Sequence, residues 1–196
     1  MITRKGIAPI ARLLIRTLIP LPWFRTVPRG DHMSDLLGGR QRLAATESHV
    51  ELQTRADRLR RVNHSACCAC GGTGGFGLSF DITGPASVEG AFECAERWQG
   101  YDGVLHGGVI CLLLDAAMTH CGFAMGREVM TGDMSVRFLH PVPIGETVCV
   151  RAAANDCVGP LQRIQAQILL GERVMARAVG RFVDRSLVQL PMEKSC

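Results

Sequence analysis

The chain has 196 residues, of which 47% are apolar and 20% are charged. This composition excludes a largely disordered protein, and the length suits one domain with an extension. The net charge is +4 at pH 7. However, residues 1–30 contain six basic and no acidic side chains, so residues 31–196 carry a net charge of −2. The basic balance therefore belongs to the N-terminal segment, and it gives no indication of a nucleic-acid partner for the rest of the chain.

Nine cysteines are spread irregularly along the sequence. An odd number at irregular spacing is atypical of a disulfide framework. Cys111, Cys121 and Cys149 lie inside apolar segments, where a reduced cysteine behaves as a small hydrophobic residue. We therefore expect a reducing compartment and a cytoplasmic protein.

The first element along the chain is a basic, apolar leader over residues 1–32. Arginines and prolines interrupt its apolar stretch, so it is too short to span a bilayer. We favour a dispensable or non-native leader, with Met33 as the first residue of the protein. The alternatives are a peripheral membrane contact of residues 1–30 through a basic interfacial helix, and a targeting role.

Residues 33–65 are predicted to form a helical lead-in to the main domain. Apolar residues recur only loosely here, which indicates a surface helix over 46–62. The arginines of this helix are interleaved with acidic residues, and aromatic residues are absent. This pattern is typical of a solvated helix face rather than of a nucleic-acid interface.

A segment rich in cysteine and glycine precedes the first strand. Residues 72–77 have the spacing G-x-G-x-x-G, but no strand precedes them and no helix follows, so a dinucleotide site is not expected. Cys67 and Cys70 form one C-x-x-C pair, without the βαβ context of a redox pair. A structural zinc site needs four ligands, and no second pair follows, so we expect a loop and no metal. A site completed by His64 and one further residue is the alternative.

From residue 76 onward the apolar pattern is that of strands around a single helix. Strands are predicted over 76–82 and 87–94, then a helix over 109–125 that is apolar on all sides. Four strands in a meander follow, over 131–140, 147–156, 161–170 and 173–183. A helix that is apolar all round must be wrapped by the sheet. The predicted fold is therefore α+β, with an antiparallel sheet wrapped around one central helix.

The start of this helix carries the candidate functional residues. Gly107 and Gly108 open the helix, where backbone N–H groups lack intrahelical partners and lie at the positive end of the helix dipole. Asp115 falls in the middle of the apolar helix, where a carboxylate is costly unless it has a task or a partner. The alternative is a structural aspartate bonded by a neighbouring hydroxyl or amide.

The spacing of these residues bears on the number of subunits in the site. Seven residues separate Gly108 from Asp115, or about 10.5 Å along a helix axis. One substrate carbonyl cannot contact both groups on a single helix. If both act on one substrate, one of them belongs to a second subunit. The spacing predicts a homodimer, or a tetramer of such dimers, with active sites at the subunit interface.

These residues resemble the hotdog-fold thioesterases of the PaaI type. The resemblance lies in His106-Gly107-Gly108, in Asp115 nine residues after the histidine, and in the turn sequence F-L-H-P-V-P-I-G over 138–145. It covers residues 66–184, which we predict as the thioesterase domain, followed by a tail over 185–196. It implies hydrolysis of acyl-CoA thioesters without a metal or other cofactor, CoA being part of the substrate.

The resemblance also implies roles for four residues. Asp115 would act as general base for water, or as nucleophile through a mixed anhydride. The backbone N–H of Gly108 would polarise the thioester carbonyl from the opposite subunit, and His106 would orient that loop or contact the thioester. Thr131 stands where the family often has a Ser or Thr that positions water.

One position departs from the family pattern. Several members have an asparagine six residues before the histidine, where this chain has Gly100 with Gln99 beside it. The alternative function is accordingly an acyl- or acyl-CoA-binding hotdog protein without turnover. The phosphates of CoA are expected to meet basic residues, and the candidates are Arg137, Arg151 and Arg163.

Overall fold

The computed structural model of the chain describes residues 47–71 and 75–188, and for residues 155–158 it describes the backbone only. The predicted leader over 1–32, residues 33–46 of the lead-in and residues 189–196 of the tail lie outside the described residues. The predicted domain boundaries therefore stay predictions.

The first described element is a helix, α1, which runs from His49 to Asn63, close to the predicted range. It begins with a capping box, in which the Ser48 side chain accepts the Glu51 N–H and the Glu51 side chain accepts the Ser48 N–H. Leu52 and Ala56 are its buried residues. α1 is therefore a surface helix that buries one narrow stripe, as its loose apolar pattern predicted.

Six strands form one antiparallel sheet. They are β1 Asp81–Gly84, β2 Ser87–Glu93, β3 Val129–Phe138, β4 Thr147–Val158, β5 Leu161–Leu170 and β6 Arg173–Asp184. A second helix, α2 (Gly107–Ala124), connects β2 to β3. The strand order across the sheet is β1-β2-β4-β5-β6-β3. The strand predicted over 76–82 begins only at Asp81, and residues 76–80 lie before it.

The core lies between α2 and the sheet. Twelve of the 18 residues of α2 are buried, which explains why it is apolar on every side. α2 is long and apolar enough to cross a membrane, but in this fold it is the core helix on which the strands pack. The predicted α+β fold, an antiparallel sheet around one central helix, is confirmed.

The predicted meander of four strands after α2 is wrong in one connection. β3 pairs with β6 and not with β4, so the meander comprises only β4, β5 and β6, and β3 lies at the sheet edge. The connection over 139–146 is not a hairpin. It crosses the end of the sheet, donating from Leu139 N–H to Met175 O at 2.8 Å and from Gly145 N–H to Cys94 O at 2.8 Å. Period-2 patterning cannot reveal such a crossing, because it reports which face of a strand is buried and not which strand lies beside it.

Candidate active site

The start of α2 is held in place by the turn that follows β3. Leu105 N–H donates to Val142 O at 2.9 Å, and Ile144 N–H donates to Gly103 O at 3.0 Å. Val142 is fully buried, so this Pro-Val-Pro segment is anchored in the core. Two motifs that are distant in sequence therefore meet at the N-terminus of α2, and the turn fixes the position of the residue that precedes the helix.

His106 is the N-cap of α2, and its ring binds one of the two glycine N–H groups. Its Nδ1 accepts the N–H of Gly108 at 2.9 Å. The Gly108 N–H, which was predicted to bind the thioester carbonyl, is therefore already engaged within the helix start. In the described part of the chain, the Gly107 N–H has no acceptor. The sequence could have predicted which glycine N–H is engaged, because an N-cap side chain accepts the N–H of the second or third helical residue and not that of the first.

Asp115 and Thr131 meet although they lie on different elements. The Thr131 hydroxyl donates to Asp115 Oδ1 at 2.6 Å. Asp115 is half-buried on α2, and Thr131 is exposed at the start of β3. The pairing of β3 with β6 shifts register after Thr131, which leaves Gly132 without a cross-strand partner. Such irregularities re-aim side chains next to functional sites, and Asp115 Oδ2 is left to accept a proton from another group.

The four predicted residues thus form two groups in one protomer. Gly107 and Asp115 are eight residues apart, or about 12 Å along the helix axis. The first group is the helix start with His106 and the two glycines, and the second is the Asp115–Thr131 pair. A single protomer carries two half-sites and does not bring the donor to the carboxylate.

An exposed apolar surface adjoins the helix start. Phe138 and Leu139 are 55% and 41% exposed at the end of β3, the edge strand. The Phe138 ring lies 3.6 Å from the position that a Cβ on Gly107 would take. In the sequence Phe138 is only a member of the turn motif, and the structure adds that its ring borders the open N–H group of Gly107.

Gly100, which stands where several family members have an asparagine, packs closely against His106. A Cβ on Gly100 would lie 3.1 Å from His106 Cδ2 and 3.2 Å from its Cα, so the glycine permits a close approach. Gln99 Oε1 accepts the N–H of Gly103 at 3.2 Å, which closes the loop before α2. Gln99 Oε1 is therefore engaged within its own loop. Whether Gln99 substitutes for the asparagine or the contact is absent stays an open alternative of the sequence prediction.

The three arginine candidates lie exposed on the strands of the sheet. Arg151 already has a carboxylate partner, since its Nε lies 2.6 Å from Glu89 Oε2. Arg137 is the cross-strand neighbour of Arg177. Arg163 is likewise the cross-strand neighbour of Arg181, so two of the three candidates have a second arginine beside them.

Residues 102–157 match the model of the Thioesterase superfamily. This segment contains His106, Gly108, Asp115 and Thr131. Over 68 residues the chain is 33% identical to a Bos taurus protein named acyl-coenzyme A thioesterase THEM4, which covers 35% of this chain and 27% of that protein. The chain spans about a quarter of the length of the curated relatives it matches.

Solved structures show the same fold. The Escherichia coli PaaI protein from the phenylacetic acid degradation operon has a TM-score of 0.59 at 15% identity, over 68% of this chain and 95% of that chain. A Streptococcus mutans protein solved with bound acetyl CoA has a TM-score of 0.52 at 17% identity, over 55% and 87%. The hotdog fold and the resemblance to thioesterases of the PaaI type are confirmed.

Proposed function

We propose, on the premise of a hotdog domain similar to the thioesterase superfamily, that this protein hydrolyses acyl-CoA thioesters to a free acid and CoA. The observation that carries the proposal is the bond of 2.6 Å between Thr131 and Asp115 Oδ1, because it orients a half-buried carboxylate on an otherwise apolar helix. The superfamily match and the bovine relative support thioester hydrolysis. The likeness to a structure with bound acetyl CoA supports the choice of ligand.

The proposed reaction begins at Asp115. Oδ2 takes a proton from water as the water oxygen attacks the thioester carbon, or it attacks that carbon itself and forms a mixed anhydride that water then hydrolyses. In both routes the carbon–sulfur bond breaks, and CoA leaves as a thiolate that takes up a proton. Thr131 keeps the carboxylate in place through Oδ1. This chemistry requires no metal or other cofactor.

The carbonyl oxygen gains negative charge in this reaction and needs a donor. We assign that role to the Gly107 N–H, which is open and lies at the positive end of the α2 dipole. His106 holds the Gly108 N–H at 2.9 Å and so keeps the helix start in shape. This assignment replaces the predicted role of Gly108, whose N–H is engaged.

The proposed site is shared between two protomers. The donor and the carboxylate are too far apart on one helix, and the edge strand β3 exposes Phe138 beside the donor, with the exposed Leu139 following it. We propose a homodimer whose α2 helices run antiparallel, so that Gly107 of one protomer faces Asp115 of the partner subunit. The CoA phosphates would contact Arg137 on the edge strand β3 and its cross-strand neighbour Arg177 on β6.

The test measures the release of free CoA thiol from a panel of aryl, short-chain and long-chain acyl-CoAs. We expect Asp115→Asn to lower kcat by about 10²–10⁴-fold, because the amide cannot take a proton from water. Asp133→Asn is the matched control on the outer face of β3, where the side chain pairs with Arg181 away from the site. Tight acyl-CoA binding without thiol release by the wild type would contradict the proposal and support a binding protein without turnover.

A further inference from the structure

A second cluster of chemically active side chains lies between the end of α1 and β1. His64 is the C-cap residue of α1, and Cys67 and Cys70 follow it in the next turn. One ligand atom from each of the three lies within 4.8 Å of the other two. Cys70 Sγ is 3.7 Å from His64 Nδ1. Two thiols and one imidazole nitrogen therefore converge on one point, and the proposed reaction at Asp115 uses none of them.

The backbone around the two cysteines is shaped to hold sulfur atoms. The Ala69 N–H donates to Cys67 Sγ at 3.4 Å, and the Gly71 N–H donates to Cys67 O at 2.7 Å. A Cβ on Gly71 would lie 2.5 Å from Cys67 O, so only glycine fits where the turn closes. Metals bind cysteine as the thiolate, so binding at this turn would release the thiol protons.

The histidine is fixed by the core of the domain. Its ring packs edge-on against Phe123 of α2, with 5.1 Å between the ring centroids. The Cys67 N–H donates to the His64 carbonyl at 3.1 Å, which ties the helix end to the turn. Cys70 is buried, and His64 and Cys67 are half-buried. The three donor atoms are thus held by a preformed scaffold.

We propose that His64, Cys67 and Cys70 bind a zinc ion, with water in the fourth position. Two thiolates and one imidazole suit Zn²⁺, and the C-x-x-C spacing is that of many zinc sites. Among residues 47–71, 75–154 and 159–188, no fourth His, Cys, Asp or Glu joins the cluster. The sequence predicts a loop without metal because it has only one cysteine pair, with a site completed by His64 as the alternative. The convergence of His64 with both cysteines favours that alternative.

The metal would act on the fold rather than on the thioester. It would link the C-terminal end of α1 to the turn that leads into the sheet. α1 is otherwise held to β1 by few polar contacts, such as the bond of 2.8 Å from the Ile82 N–H to Gln53 Oε1. Metal binding to the folded state alone would stabilise this junction.

The test uses the full chain, purified under reducing conditions with zinc supplied. We expect about one Zn²⁺ per chain by mass spectrometry of the metal. Replacement by Co²⁺ should give thiolate-to-cobalt charge-transfer absorption and the intense visible bands of tetrahedral cobalt. Cys67→Ser and Cys70→Ser should abolish both signals. Cys68→Ser, at the exposed cysteine between them, should retain both signals.

Two results would overturn the proposal. The first is a reduced wild-type protein that retains no zinc and shows no charge-transfer band with Co²⁺. The second is an unchanged metal content and cobalt spectrum in the Cys67→Ser/Cys70→Ser double variant. The first measurement needs no variant, so it decides the matter even if the variants fail to fold. Neither readout depends on thioesterase activity, so failure here leaves the proposed reaction untouched.

Discussion

At the scale of single residues, the two adjacent glycines of α2 make a sharp comparison. Gly107→Pro removes one N–H group and is expected to lower kcat/KM by about 10²–10³-fold. Proline is well tolerated at the first helical position, and His106 has the extended conformation (ψ 134°) that a following proline requires. Gly107→Ala is the control, because it keeps the N–H and its Cβ meets only the Phe138 ring at 3.6 Å. Thiol-release kinetics of both variants provide the measurement. Full activity of Gly107→Pro would indicate that the Gly108 N–H, and not that of Gly107, is the donor to the thioester carbonyl.

The buried His120 should make the stability of the fold depend on pH. Its Nδ1–H donates to Ala116 O at 2.8 Å, its ring packs against Phe80 and Phe123, and burial lowers its pKa from 6.5 to about 4. Between these two values the unfolded chain binds a proton that the folded chain does not. The free energy of unfolding therefore decreases as pH falls from 6.5 towards 4, by up to roughly 3 kcal/mol.

Urea denaturation of the wild type and of His120→Gln across this pH range measures the effect. The variant should lose most of the slope. An equal slope in both proteins would show that His120 is not the group responsible.

At the scale of elements, the close approach of α2 to β3 builds the Asp115–Thr131 pair. A Cβ on Gly122 would lie 2.4 Å from Cγ2 of Val129, a stiff and buried side chain. Val129 and Thr131 share one face of β3, because they are two residues apart. Gly122 therefore lets the strand come near enough for the Thr131 hydroxyl to reach the helix.

Gly122→Ala should consequently destabilise the fold by about 1–3 kcal/mol through overpacking, although alanine favours helix more than glycine does. The free energy of unfolding from urea titration measures this. The double variant Gly122→Ala/Val129→Ala tests the cause, since removing the valine methyl groups should recover part of the loss. Additive effects of the two substitutions would indicate that the two elements are not in such close contact.

At the scale of the whole molecule, a shared site predicts complementation between two inactive proteins. Asp115→Asn lacks the carboxylate and Gly107→Pro lacks the donor, so a mixed dimer contains one intact site and one site with both defects. Refolding equal amounts together should restore roughly a quarter of the wild-type activity, because about half of the dimers are mixed. Thiol release before and after mixing is the measurement. Activity that stays at the sum of the separate variants would argue for a site within one protomer.

The sequence by itself determined the elements and the candidate chemistry. Strand periodicity, the helix that is apolar all round and the isolated Asp115 are local properties of the chain, because burial selects residue types position by position. They were sufficient for the α+β architecture and for the range of α2 to within about two residues. The motif from His106 to Asp115, followed in order by the turn sequence over 138–145, was sufficient for the thioesterase resemblance.

Only the tertiary structure decided how these parts meet. It placed β3 beside β6, brought Thr131 within 2.6 Å of Asp115, and gathered His64 with the two cysteines. It also distinguished the engaged Gly108 N–H from the open one of Gly107, since that depends on where the His106 ring points. The physical reason is common to all four: each is a contact between groups whose distance is set by packing and not by their separation along the chain.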